Sequence, residues 1–84
     1  MRAVDAVLKQ RGKSHGDYGD WCAIVQEYKK IARLANWDKL SPVQRETLDM
    51  IFVKIGRILI GDPSLPDHWA DIEGYARLAR ERLK

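Results

Sequence analysis

The sequence is poor in the features that mark many function classes at a glance. It holds a single cysteine, Cys22, in 84 residues, which excludes an intramolecular disulfide. It has no apolar stretch of the roughly 18 residues that a membrane-spanning helix needs, and no segment with the composition of a secretory signal. These absences point to the cytoplasm. No internal repeat, low-complexity run or linker interrupts the chain, and no segment reads as a convincing strand. The length leaves room for one hydrophobic core, so a single domain over residues 1–84 is expected. That core must be thin. A short chain buries a smaller share of its surface than a long one, which makes self-association as a homodimer an expectation.

What is present is helical. Hydrophobic residues make up 45% of the chain and charged residues 32%, a folded rather than a disordered composition. Apolar periodicity predicts an all-α bundle of about four helices around a central third one. The first helix runs from about Arg2 to Arg11, with Val4, Val7 and Leu8 on one side, and stops at Gly12. A loop with three glycines follows, from Gly12 to Gly19. The second helix runs from about Asp20 to Ala35, carrying Trp21, Ile24, Val25, Tyr28 and Ile31 at helical spacing. The third has Ser41 as N-cap, Pro42 at the first helical position and Gln44 where a capping box wants it, and ends near Ile60 before Gly61-Asp62-Pro63. Its stripe of Leu48, Ile51, Phe52, Ile55 and Leu59 is joined by Met50, Val53 and Ile60 elsewhere on the wheel, the pattern of a helix packed by several neighbours. The fourth helix is expected to start around Asp67 as N-cap and to present Ile72, Tyr75, Ala76, Ala79 and Leu83 to the core.

Two cations stand out on that central helix. Lys54 and Arg57 lie one turn apart among apolar residues, and half-buried cations need acidic partners. Asp17 in the glycine-rich loop and Asp67 and Asp71 on the last helix are the candidates, with Tyr75 one turn further along the same side. His15, Asp17, Lys54, Arg57, Asp67, Asp71 and Tyr75 are therefore expected to converge on one polar cluster. As a functional site it would bind phosphate through Lys54 and Arg57, with Asp67 and Asp71 on a divalent metal. As a brace it would be an ion-pair network tying loop and last helix to the central helix. Individually, Asp67 is most simply a helix cap, Tyr75 a core residue, and His15 a turn or packing residue.

The remaining features are less specific. Neither His15 nor His68 stands at a recognisable catalytic spacing from Cys22, so Cys22 reads as an inert residue on the flank of the second helix. Trp21, Trp37 and Trp69 read as core-edge aromatics, any one of which would mark a binding surface if exposed. The formal net charge of +3 permits contact with an acidic surface, but the basic residues are spread along the chain. Direct DNA binding is not expected, because Arg77, Arg80, Arg82 and Lys84 face several ways and no recognition-helix signature is present.

Three ordered motifs carry a family resemblance. Arg11-Gly12-Lys13-Ser14-His15-Gly16-Asp17-Tyr18, then Lys54-Ile55-Gly56-Arg57-Ile58, then the run from Asp67 to Ala76 (Asp67-His68-Trp69-Ala70-Asp71-Ile72-Glu73-Gly74-Tyr75-Ala76) resemble a group of small phage and prophage proteins of unassigned function. These are in turn distantly similar to the all-helical nucleotide pyrophosphatases of the MazG type. The resemblance implies a four-helix fold, often dimeric, in a phage or prophage setting within a bacterial host. It also implies, as one function, a MazG-like nucleotide-binding protein or pyrophosphohydrolase using Mg2+ or Mn2+. The MazG-type enzymes bind magnesium through "E-E-x-x-E" followed by "E-x-x-D", and here the chain departs. The second helix offers only Glu27 and the third only Glu46 and Asp49. The first expectation is therefore a non-catalytic accessory protein that binds a host or phage macromolecule, in the manner of an inhibitor of a bacterial defence system such as CRISPR-Cas. The MazG-like enzyme is the alternative.

Overall fold

The computed structural model describes residues 3–83, which form an all-α bundle: α1 (Ala3–His15), α2 (Tyr18–Ala32), a 3-10 turn at Trp37–Lys39, α3 (Pro42–Ile60) and α4 (Pro66–Arg80), with no strand among the described residues. α3 is the central element, packed by α2, α4 and the end of α1. No helix among the described residues is long and apolar enough to cross a membrane.

The start of α3 follows its local chemistry. The Ser41 Oγ accepts from the Gln44 N–H at 3.2 Å, and the Gln44 Oε1 accepts from the Ser41 N–H at 2.9 Å, completing the expected capping box ahead of Pro42. The joint between α1 and α2 differs from expectation. Gly12 does not stop α1; the helix runs three residues further, to His15. A glycine inside a helix costs up to about 1 kcal/mol relative to alanine, which weakens the helix without breaking it. The residue that does end it is Gly16, at φ +80°, whose N–H donates to the Gly12 carbonyl at 3.0 Å. A side chain there would also overlap the backbone of Ile60. Asp17 follows in extended conformation and accepts from the Asp20 N–H at 3.0 Å, capping α2 at once. The expected eight-residue loop is a two-residue hinge between helices.

Two further boundaries move. α2 ends at Ala32 rather than Ala35, its last turn tightening as the Leu34 N–H bonds the Ile31 carbonyl at 3.1 Å. The following turn is held by Arg45, which donates to the carbonyls of Trp37 at 3.0 Å and Asp38 at 2.7 Å. α4 takes Leu65 as its N-cap residue, without a side-chain cap, because Pro66 occupies the first helical position. Asp67 lies in the first turn, where its charge suits the helix dipole. That corrects the expected capping role.

The core is as thin as the length implies. Val25, at 3% exposure, is its one fully buried hydrophobic residue among those described, and it sits where α2 crosses α3. The crossing is close because of Gly56: a Cβ there would stand 2.7 Å from both Trp21 Cδ1 and Val25 Cγ2. Trp21 Nε1 donates to the Val53 carbonyl at 3.0 Å, and Tyr28 stacks on Phe52 with ring centroids 5.7 Å apart. Several expected core residues lie outside this layer. Val4, Val7 and Leu8 of α1 are exposed, as are Ile31, Leu48, Leu59, Ala76 and Leu83. The physical reason is the arrangement. Within α1 only Ser14 and His15 are less than fully exposed, and there the Ser14 carbonyl accepts from the Asp62 N–H at 2.9 Å; its first eleven residues are all exposed.

Candidate functional site

The expected seven-residue cluster divides in two. Lys54 points toward α4, where Nζ meets Asp71 Oδ2 at 2.8 Å. Arg57, one turn on, turns the other way and lays its guanidinium 3.8 Å above the ring centroid of Trp21 on α2. Lys54 is a braced cation with its carboxylate in hand. Arg57 pairs with no carboxylate among the described residues, and its partner is an aromatic face, which suits a planar, weakly hydrated guanidinium.

Arg57 lines a cleft of about 560 Å3 together with Leu8, Arg11, Gly12, His15, Gly16, Asp17 and Tyr18. The cleft exists because α1 continues through Gly12: helical spacing then sets Leu8, Arg11 and His15 along one side of α1, facing the start of α2. The Asp17 carboxylate at its edge already caps α2. Two guanidiniums therefore face the same space. Burial, then the neighbouring charge of Arg11, lower the pKa of Arg57, though a guanidinium stays protonated throughout the usable range. Burial first, then Arg57, Arg11 and His68, lower that of His15 from its ordinary 6.5. His15 is thus held neutral near pH 7, with Nδ1 2.6 Å from the Ser14 hydroxyl. Tyr18 is exposed at the mouth and protonated at neutral pH, its pKa raised above 10.0 chiefly by a hydrogen bond with the half-buried Cys22 thiol.

His68 anchors the floor from behind. It is 2% exposed, its ring meets His15 edge-on at 5.0 Å between centroids, and its Nε2 lies 3.5 Å from the Ser14 carbonyl oxygen. Sequence reasoning passed over His68, and it placed Arg11, Tyr18 and Trp21 outside the site. The signal was there: Arg11 and His15 are four residues apart, a same-face spacing that counts only if the helix is carried through Gly12. Asp67 and Tyr75 belong to neither half. Asp67 is exposed and Tyr75 half-buried on α4. Of the expected metal pair, Asp71 is engaged with Lys54, and no group of three or more His, Cys, Asp or Glu among the described residues is placed to hold an ion.

Other surfaces are less equipped. An apolar groove of about 380 Å3 between the start of α3 and the end of α4, lined by Leu48, Ile51, Ala79 and Leu83 among others, offers one charged group, Arg80. Trp69 is 55% exposed, but its Nε1 is tied to the Pro63 carbonyl at 2.7 Å, so it braces the turn before α4.

What the cleft can do follows from its groups. It presents fixed positive charge, an aromatic shelf and an apolar wall, and its one histidine is neutral. It can recognise an anion flanked by apolar surface. Compared with protein-family models, curated proteins and solved structures, the chain matches none of them.

Proposed function

We propose that this protein is a non-catalytic binding module that takes an acidic segment of a partner macromolecule into the cleft of Arg11, Arg57 and Tyr18. The observation that carries the reading is Arg57: half-buried, ordered on Trp21 and without a carboxylate among the described residues. Desolvated cations are normally paired, and one that is not gains most from an incoming anion. Leu8 and Tyr18 beside it offer apolar contact of the kind protein interfaces use. The three ordered sequence motifs support a phage- or prophage-type accessory role in the bacterial cytoplasm, with a host or phage protein as partner. An inhibitor that occupies an acidic surface of a defence complex such as CRISPR-Cas is the form of that role we favour.

The test is affinity capture from bacterial lysate with the wild-type chain and with Arg57→Glu. The expected result is a stoichiometric protein partner held by the wild type and lost by the variant. Equal recovery by both would remove the cleft from the interaction.

A second reading uses the same cations. Arg11 and Arg57 together could hold a nucleotide's phosphates, the MazG-like alternative, with Mg2+ or Mn2+ brought in largely by the phosphates themselves. A thermal-shift screen against nucleoside mono-, di- and triphosphates, with and without either metal, separates the two. A metal-dependent rise in the midpoint that disappears in Arg57→Ala supports the nucleotide; no shift supports the protein partner.

A further inference from the structure

We infer that the partner segment held by the cleft is an amphipathic helix lying along α1, with its apolar residues on Val4, Val7 and Leu8 and its acidic residues against Arg11 and Arg57. The inference rests on the cleft reading and extends it from an anion site to a defined kind of partner.

The cleft and the exposed face of α1 are one surface. Val4, Leu8, Arg11 and His15 stand four, three and four positions apart, the spacing that keeps side chains in line along a helix. Leu8, Arg11 and His15 line the cleft. Val4 continues that line away from it, flanked by Val7 one turn before Arg11. Val4, Val7 and Leu8 are 57%, 53% and 62% exposed. A ligand confined to the cleft would leave the two valines in water, whereas one that fills the cleft and follows the line covers them.

The helix itself has need of that cover. α1 has thirteen residues and buries none of them. A helix that short is marginal in water by itself and owes its stability to a packed apolar face. Only Ser14 and His15 are partly covered, so the first turns gain most from a partner.

Charge and backbone chemistry define the occupant. Lys9, Arg11 and Lys13 follow the valines along α1, and Arg57 faces the cleft beside Arg11. The complementary segment is therefore acidic at the cleft end and apolar beyond it, in the order apolar, apolar, acidic along one face. The interior of a helix has its N–H and C=O groups engaged, so an extended segment would find no ladder of main-chain bonds along α1. A helix satisfies its own backbone and meets α1 through side chains alone. Gly12, with nothing within 4 Å of where its side chain would begin, lets that helix come close where the line enters the cleft. From Val4 to His15 the line is about 16 Å long at 1.5 Å per residue, so three turns of partner helix span it.

Fluorescence anisotropy with two labelled synthetic peptides tests the proposal. One carries leucines and glutamates in the apolar, apolar, acidic order on one face of an alanine-rich helix, and the other has the same composition scrambled so that no face forms. The wild type is expected to bind the first about tenfold more tightly than the second, with amide exchange slowed along residues 3–13 in the complex. Val4→Ala/Val7→Ala keeps helix propensity while deleting apolar contact outside the cleft, and is expected to weaken binding about tenfold. Arg11→Glu/Arg57→Glu is expected to abolish it. Binding that is lost in the arginine variant but unchanged in the valine variant overturns the inference and leaves the cleft reading standing. Equal binding of the two peptides does the same. Binding indifferent to the arginines, or no binding of either peptide, overturns both.

Discussion

Lys54 and Arg57 sit one turn apart on α3, yet the two sides of that helix treat them oppositely. On the α4 side a 2.8 Å ion pair with Asp71 closes the account of Lys54. On the α2 side Arg57 has a tryptophan beneath it, a second guanidinium across from it, and open space above. The difference teaches that residue type and spacing do not separate a brace from a site. What separates them is whether the fold supplies the counter-charge. A paired cation contributes to the bundle, and an unpaired one in a cleft is left for a ligand.

The most damaging way to break the comparison is to remove the crossing that sets it up. Gly56→Val puts methyl groups into Trp21 and Val25, which have little room to give where α2 meets α3, and is expected to cost about 3 kcal/mol or more. In a domain of this size such a loss lowers the thermal midpoint by well over 10 °C, readable by calorimetry.

Smaller changes sharpen it. Asp71→Ala leaves Lys54, 19% exposed, without its carboxylate and is expected to cost about 1 kcal/mol by urea unfolding, with ligand capture unchanged. Arg57→Ala should reverse that pattern. It loses a stacking contact of about 0.5–1 kcal/mol but relieves the repulsion from Arg11, so stability moves by less than about 1 kcal/mol while capture is lost. If both variants lose stability alike and neither affects binding, the division of α3 into brace and site fails.

The smallest expected effect is on pH dependence. The folded pKa of His15 lies below 6.5, so the native state resists its protonation. The stability this provides is fully present above about 6.5 and is lost as the pH falls through the folded value. Arg57 and Arg11 on the cleft side and His68 from α4 are the charges that face it. His15→Gln should flatten the fall in midpoint between neutral pH and pH 5, and an unchanged slope would assign that fall to another group.

Much of this architecture was readable from the chain itself. Ser41, Pro42 and Gln44 act through bonds within one turn, so the start of α3 could be read residue by residue; Gly61-Asp62-Pro63 marks its end in the same way. Gly12 shows the limit of such reading. A glycine after a short amphipathic stretch has the local signature of a helix stop, and only the contact of Gly16 with Ile60, forty-four positions away, shows where the chain must turn. That shift of four residues, from Arg11 to His15, moved Arg11 from a helix end onto the wall of the cleft. The apolar faces are a second limit. Val4, Val7 and Leu8 have the spacing of a buried stripe, and periodicity cannot say whether the burial is against the same chain. The partners of Lys54 and Arg57 were beyond reach for a related reason, since they depend on how α2 and α4 flank α3.

The most direct test of the central claim is quantitative capture from bacterial lysate with three baits of matched fold: wild type, Arg11→Glu/Arg57→Glu, and Lys54→Ala/Asp71→Ala. The account predicts a stoichiometric protein partner on the wild type and on the Lys54/Asp71 variant, and none on the Arg11/Arg57 variant. Retention of the partner by the Arg11/Arg57 variant, or its loss only with Lys54 and Asp71, would contradict it.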